Sequence, residues 1–200
     1  IAVGLLLFYP PFFRGLFFPQ EMLFTHVLTS AVFLLFCLRK WRNGDASLIR
    51  GAMDWAVFAL VSAYLLSLPG AVNVREALGG FYKILNYSMI YWLVREVAVN
   101  YRNSRILLSV LFASSLGVAI IGIASALGFV NYPGAFDGSI IMSTLQYTNA
   151  TSIYMGIMSI LGISLAVTEK KCCFKAIYTL ATVLLMVVMF NAAAQGAWIA

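Results

Sequence analysis

The stretch ILLSVLFASSLGVAIIGIASALGF, residues 106–129, carries no charged side chain. A helix rises 1.5 Å per residue, so about 20 mostly apolar residues cross the hydrocarbon of a bilayer. This run is long enough to do so. Its apolar residues fall on every side of a helix, and strict two-residue alternation is missing, which argues against a membrane barrel. Outward from it the pattern holds. Between Arg105 and Glu169 the only Lys, Arg, Asp or Glu is Asp137. That interval has room for two crossings, separated by the turn-rich Asn131-Tyr132-Pro133-Gly134 and Asp137-Gly138.

The rest of the chain repeats the theme. Of its 200 residues 62% are hydrophobic and 10% charged, against about 25% charged for ordinary soluble domains. A soluble fold with one large apolar core would lack the charges to cover its surface. The sequence predicts an all-α, polytopic transmembrane helix bundle, one domain of about seven helices. Their expected spans are 1–8 (partial), 21–38, 54–70, 78–97, 106–129, 147–167 and 174–190. The chain begins and stops inside apolar stretches, so truncation at both ends is expected.

Arg39, Lys40, Arg42 and Arg50 lie between the second and third helices. Arg95, Arg102 and Arg105 lie at the next junction but one, and Lys170, Lys171 and Lys175 two junctions later. Only Arg14, Arg75 and Lys83 of the 13 Lys and Arg residues fall on the other connections. This alternation follows the positive-inside rule. It places the connections 9–21, 69–83 and 129–146 outside. The net charge of +6 therefore reports orientation, and nucleic acid is not an expected partner. Cys37, Cys172 and Cys173 fall near cytoplasmic ends, so no disulfide is expected. No zinc spacing, phosphate-binding loop, dinucleotide fingerprint or serine nucleophile elbow is present, and no metal or cofactor is expected.

Polar residues toward the outer side are the candidates for chemistry, since charge near hydrocarbon is costly to keep. Arg14 sits in YPPFFRGLFFP, residues 9–19, where prolines stiffen the turn. It reads either as an interfacial anchor or as a group for a phosphorylated lipid, whose oxygens suit the guanidinium fork. Arg75 follows Pro69-Gly70 and reads as a surface partner of Glu76 or a holder of an anionic substrate. Lys83 is close enough to the edge to snorkel. His26 reads as an interhelical hydrogen-bond partner, and Asp54 as a helix N-terminal acid. The cluster STLQYTNATS, residues 143–152, introduces the sixth helix. Gln146 and Asn149 would share a face if both were helical, able to bind sugar hydroxyls or a neighbouring helix. Ser114, Ser115, Gly117, Gly122, Ser125, Gly156, Ser159 and Gly162 permit close helix packing.

Three patches resemble the N-terminal half of the bacterial O-antigen ligase and polymerase family: FYPPFFRGLFFP at 8–19, LQYTNAT at 145–151 and QGAW at 195–198. The resemblance implies a GT-C-like membrane glycosyltransferase in the bacterial cytoplasmic (inner) membrane. Such an enzyme moves a glycan from undecaprenyl diphosphate to an acceptor glycan or glycolipid at the outer face, among membrane lipids. It implies no nucleotide sugar and no required metal. Arginines would hold the diphosphate, and a catalytic histidine would lie in an outer loop beyond residue 200. His26 does not match it. Substrate-binding residues expected on this basis are Arg75, Arg14, Gln146, Asn149 and Gln195. Thr148 stands where the family usually has proline, and Gln195 where it commonly has arginine, so a neutral amide replaces a cation there. Two rival readings share the helices and outward arginines: a non-enzymatic transporter or flippase for lipid-linked or anionic cargo, and a structural membrane subunit.

The charge pattern makes a direct prediction about threading. In a background with the native cysteines replaced by serine, R42C and D137C should label from opposite faces with a membrane-impermeant thiol reagent. Labelling of both from one face would refute the seven-crossing scheme.

Overall fold

The computed structural model describes residues 1–44 and 47–192. Among them lie seven α-helices: α1 (Ala2–Phe8), α2 (Pro19–Arg42), α3 (Ala52–Ser67), α4 (Val74–Val97), α5 (Tyr101–Ala126), α6 (Thr148–Thr168) and α7 (Cys172–Asn191). No strand is present among the described residues beyond one isolated bridge between Phe136 and Ile141. Five helical stretches are long and apolar enough to cross a membrane: Pro19–Arg42, Ala52–Gly70, Tyr101–Ala126, Thr148–Thr168 and Cys172–Asn191. The protein is a multi-pass membrane helix bundle.

The distribution of side chains is that of a protein solvated by lipid. Leu35 on α2, Ile160 on α6 and Leu180 on α7 are each about 70% exposed, while Thr25, Thr29, Ser114, Ser115, Thr151 and Ser152 are buried. Water would punish that arrangement; hydrocarbon favours it, because hydroxyls need protein partners there.

The chain divides into two units, residues 1–6 with 19–103, and residues 7–18 with the remainder. In the first, α2 and α4 run parallel. His26 lies beside Asn86, Ser30 Oγ donates to Met89 Sδ at 3.8 Å, the Phe33 and Trp92 rings are 6.0 Å apart, and Lys40 pairs with Glu96 at 3.7 Å. Both numbers of each pair rise together, which only parallel helices allow. The same end is closed by Asp54 in the first turn of α3. Its carboxylate accepts the backbone N–H groups of Arg50 (2.7 Å) and Gly51 (2.9 Å) and the Tyr91 hydroxyl (2.9 Å). It also pairs with Arg95, whose other nitrogen donates to Leu48 O at 3.0 Å. Asp54 is thus a helix N-terminal acid and also the knot between the α2–α3 connection and α4.

α4 differs from the expected crossing at 78–97. Asn73 caps it by accepting the Glu76 N–H at 3.4 Å, so the helix starts at Val74 and takes Arg75 and Glu76 into its first turn. With Arg75, Glu76, Lys83, Arg95 and Glu96 along its length it does not join the five apolar spans. Its uncharged part runs from Ile84 to Val94.

In the second unit α6 and α7 form an antiparallel hairpin. Ser152 Oγ donates to Met189 O at 2.8 Å near one end, and Gly162 faces Thr182 nearer the other. The tight link is held by Glu169, which accepts the N–H groups of Lys170 and Lys171, both at 3.0 Å, and pairs with Arg105 of α5 at 2.5 Å. α5 packs alongside through Phe112 against Tyr178 (5.6 Å) and Ser109 to the Tyr178 hydroxyl (3.2 Å).

At Gly162 side chains of both neighbouring helices press against α6. A Cβ built there would lie 2.5 Å from Phe112 Cε2 and also collide with Thr182 Oγ1. In an open helix, Gly→Ala gains up to about 1 kcal/mol. Here the sign should reverse: G162A should destabilise by about 1–3 kcal/mol through overpacking. G4A, with nothing within 4 Å, should not. Thermal unfolding in detergent measures both.

Candidate functional site

Two irregular segments of the second unit, residues 9–18 and 131–147, close on each other at the end of the bundle away from Arg105 and Glu169. Pro10 and Pro11 open a 3-10 turn over Pro10–Phe12; fixed proline φ suits that position, where no N–H is needed. Phe12 stacks on Phe8 at 5.3 Å, and Tyr9 meets Phe13 edge-on at 5.9 Å. The turn then passes through three left-handed residues, Arg14 (φ 51°), Gly15 (φ 63°) and Leu16 (φ 62°). A side chain in that conformation costs about 1–2 kcal/mol. Glycine is needed at the middle position for a second reason, since a Cβ on Gly15 would lie 3.1 Å from Leu145 Cδ2.

The facing segment folds inward from Asn131. Tyr132 OH donates to Phe12 O at 3.3 Å and Thr144 Oγ1 to Pro11 O at 2.7 Å, joining the two segments directly. Ser114 of α5 donates to Phe8 O and Ser143 to Val118 O, each at 2.5 Å. Thr151 Oγ1 reaches Met142 O at 2.6 Å. Ala135 O accepts the N–H groups of Met142 (2.8 Å) and Ser143 (2.9 Å). Ser143 and Thr144 are fully buried, and Ser143 (φ 52°) and Gln146 (φ 55°) are left-handed. All four left-handed residues other than glycine among those described therefore lie in these two segments.

Arg14 is half-buried beside the joint. Its guanidinium stands 5.1 Å over the Phe18 ring and makes no hydrogen bond or ion pair with the described residues. Gln146 precedes α6 and does not belong to it. Tyr147 is the N-cap, and the Gln146 Nε2 donates to Pro133 O at 2.6 Å. The expectation that Gln146 and Asn149 share a helical face is thus corrected: Asn149 is exposed, 3.3 Å from the Tyr147 hydroxyl. Arg75 belongs to the first unit, exposed in the first turn of α4, and forms no ion pair with Glu76. Gln195 lies outside the described residues. His26 faces Asn86 in the first unit. Among the described residues no group of three His, Cys, Asp or Glu side chains comes together to hold a metal, and the three cysteines are free thiols.

The sequence reading missed the joint itself. Its one visible sign was the density of hydroxyl residues over 139–152, since such residues satisfy irregular backbone near lipid. Comparison of the chain with family models, with curated proteins and with solved structures gives no match.

Asp137 forms the tip of the inward segment. Its Oδ1 accepts the N–H of Ser139 (2.9 Å), the N–H of Ile140 (2.7 Å) and the Ser139 hydroxyl (3.1 Å). The backbone bond from Ser139, followed by that from Ile140, holds its carboxyl below the usual range. A carboxylate whose folded pKa is depressed stabilises the fold fully above its unfolded value, near 3.8. That contribution is lost as pH falls through the folded value. Protection of the Ser139 and Ile140 amides, corrected for intrinsic exchange, should therefore drop from pH 7 to strongly acid pH. D137N should flatten the dependence; an unchanged profile in the variant would contradict the assignment.

Proposed function

We propose that this chain is part of a GT-C-like membrane glycosyltransferase of the O-antigen ligase and polymerase type. It works at the outer face of a bacterial cytoplasmic membrane and takes a glycan from undecaprenyl diphosphate to an acceptor glycan or glycolipid. The observation that carries the reading is the joint between residues 9–18 and 131–147. Two of the three patches that resemble the family are far apart in sequence, yet Leu145 packs on Gly15, and Thr144, next to the second patch, bonds to Pro11. They form one structure, with a cation beside it that no described carboxylate neutralises.

The chemistry asked of this part is binding. A lipid diphosphate places two phosphates at headgroup depth with its polyprenyl chain in the bilayer. Arg14, flanked in sequence by Phe12, Phe13, Phe17 and Phe18 and lying over the Phe18 ring, offers a planar donor at an apolar surface, which suits that amphipathic ligand. The unused donors of the guanidinium would offset charge on the diphosphate as it leaves. Asn149 and Tyr147, exposed at the start of α6, would meet glycan hydroxyls. Gln146, with its amide nitrogen on Pro133, would shape the loop. Arg75 would serve as a second anion-binding group, and Gln195 would contribute a neutral amide where the family has a cation. The catalytic base would come from outside these residues.

The test is donor binding in nanodiscs. Undecaprenyl diphosphate should bind more tightly than undecaprenol, and R14A should weaken diphosphate binding by roughly tenfold, the range of a charge-assisted hydrogen bond. Equal binding of diphosphate and alcohol, or an R14A variant of native affinity, would sink the proposal. Transbilayer movement of the donor by the reconstituted chain, without transfer, would favour the transporter reading.

A further inference from the structure

A second polar feature lies in the first unit, between α2 and α4 alone. His26, Thr29, Ser30 and Phe33 occupy one stripe of α2, at the three- and four-residue spacing that aligns side chains. The stripe faces Asn86, Met89 and Trp92 of α4 through the contacts that set the parallel register. Thr25 and Glu21 extend the polar line one and two turns from Thr29 toward the start of α2.

The buried atoms along this line lack partners. Thr29 Oγ1, Asn86 Oδ1, Trp92 Nε1 and Glu21 Oε2 are each shielded and form no hydrogen bond. Thr29 is fully buried, Asn86 is 5% exposed and Trp92 8%. His26 lies beside the Asn86 side chain, yet Asn86 Oδ1 closes no bond of good geometry. Most buried hydroxyls elsewhere are matched to carbonyls, as Ser88 is to Ile84 O at 2.8 Å in α4 itself; outside the first unit Ser125 and Tyr154 are the unmatched ones among the described residues. A buried polar atom without a partner costs about 1–3 kcal/mol. Several on two packed helices require something polar between them.

The unmatched set is chemically mixed. Trp92 offers only a donor, Asn86 Oδ1 and Glu21 only acceptors, and Thr29 both. From Glu21 to Phe33, which faces Trp92, the line runs about 18 Å along α2 at 1.5 Å per residue. A single cation would leave the indole N–H unmet. An anion would leave the carbonyl and carboxylate unmet. Water donates and accepts, fits at each position independently, and bridges buried groups of this kind.

We propose that the α2–α4 seam holds a file of bound water that brings protons to His26, making it a proton-binding site within the first unit. The step is simple: hydronium transfers a proton to a ring nitrogen and becomes water, and the reverse restores the neutral ring. The charged group that bears on the imidazole is Lys83 of α4. Asn86 is the neutral partner that fixes the ring. The proposal does not depend on the glycan chemistry above.

His26 is the one histidine in the chain, so 15N-histidine labelling reports on it alone. In bilayers, magnetisation from water should reach the His26 ring nitrogens as fast as it reaches headgroup-level side chains. Their shifts should follow a single protonation as the pH is lowered, as for an imidazole in contact with solvent. Slow transfer from water with shifts independent of pH would overturn the proposal. As a second measure, T29C and N86C, without the native cysteines, should react with a small aqueous thiosulfonate about tenfold or more faster than lipid-facing L35C, because the reactive thiolate forms only where water is present. Reactivity as low as that of L35C would likewise overturn it.

Discussion

Hydrocarbon offers no hydrogen bonds, so every polar group in this bundle must find a partner within the protein or in bound solvent. The second unit meets that demand with short side chains. Ser114, Ser143, Thr144, Thr151 and Ser152 each donate to a carbonyl of another segment. Their bonds are modest one by one, about 0.6 kcal/mol in membrane proteins. Their importance is that they fasten the irregular segments to one another and to the helices. Residues 131–147 can therefore fold inward without being helical.

The same constraint explains what was readable in advance. Long apolar runs admit one solution in a bilayer, and so the helices around Ile106–Phe129, Tyr147–Val167 and Phe174–Phe190 follow from composition. The position of Asp54 in the first turn of α3 was equally plain. The boundaries of α4 were not, because they depend on one Asn73 cap that competes with a plausible loop. Nor was the placement of Gln146. Three-residue spacing suggests a shared face with Asn149 only if the helix has begun, and left-handed backbone at Gln146 delays it to Thr148. Pairing of Arg75 with Glu76 was a natural reading of adjacent opposite charges, but neighbours on a helix point about 100° apart. Side-chain hydroxyl partners far apart in sequence leave no periodic trace, so the joint between 9–18 and 131–147 had no signature beyond composition.

Charges divide by circumstance within each unit. In the first, Lys40, Arg50 and Arg95 share Asp54 and Glu96 at the end where α2 stops and α3 starts. In the second, Arg105 meets Glu169 where α6 stops and α7 starts. These pairs tie helix ends together, and their basic members are those that the charge asymmetry assigns to the inner side. Arg14 and Arg75 belong to the opposite set of connections and form no such pairs. Basic residues that merely oriented the chain would sit on the inner side, so these two need another reason to be where they are.

Left-handed backbone at Arg14, Leu16, Ser143 and Gln146 argues in the same direction. Each is a conformation that its side chain disfavours, and glycine would relieve it. Their presence in two touching segments means that the surrounding bonds hold them there: Thr144 to Pro11, Ser143 to Val118, Gln146 to Pro133. Such strain is tolerated where geometry must be held against local preference, and it concentrates at binding sites for that reason. The consequence at Arg14 is specific. A left-handed residue points its side chain away from the course that a helix or extended turn would give it, so the guanidinium direction is set by a backbone turn that Leu145 packs against. Arg14 is thus aimed by the joint as well as carried by it, and the direction of its charge follows from hydroxyls on α5 and on the segment before α6.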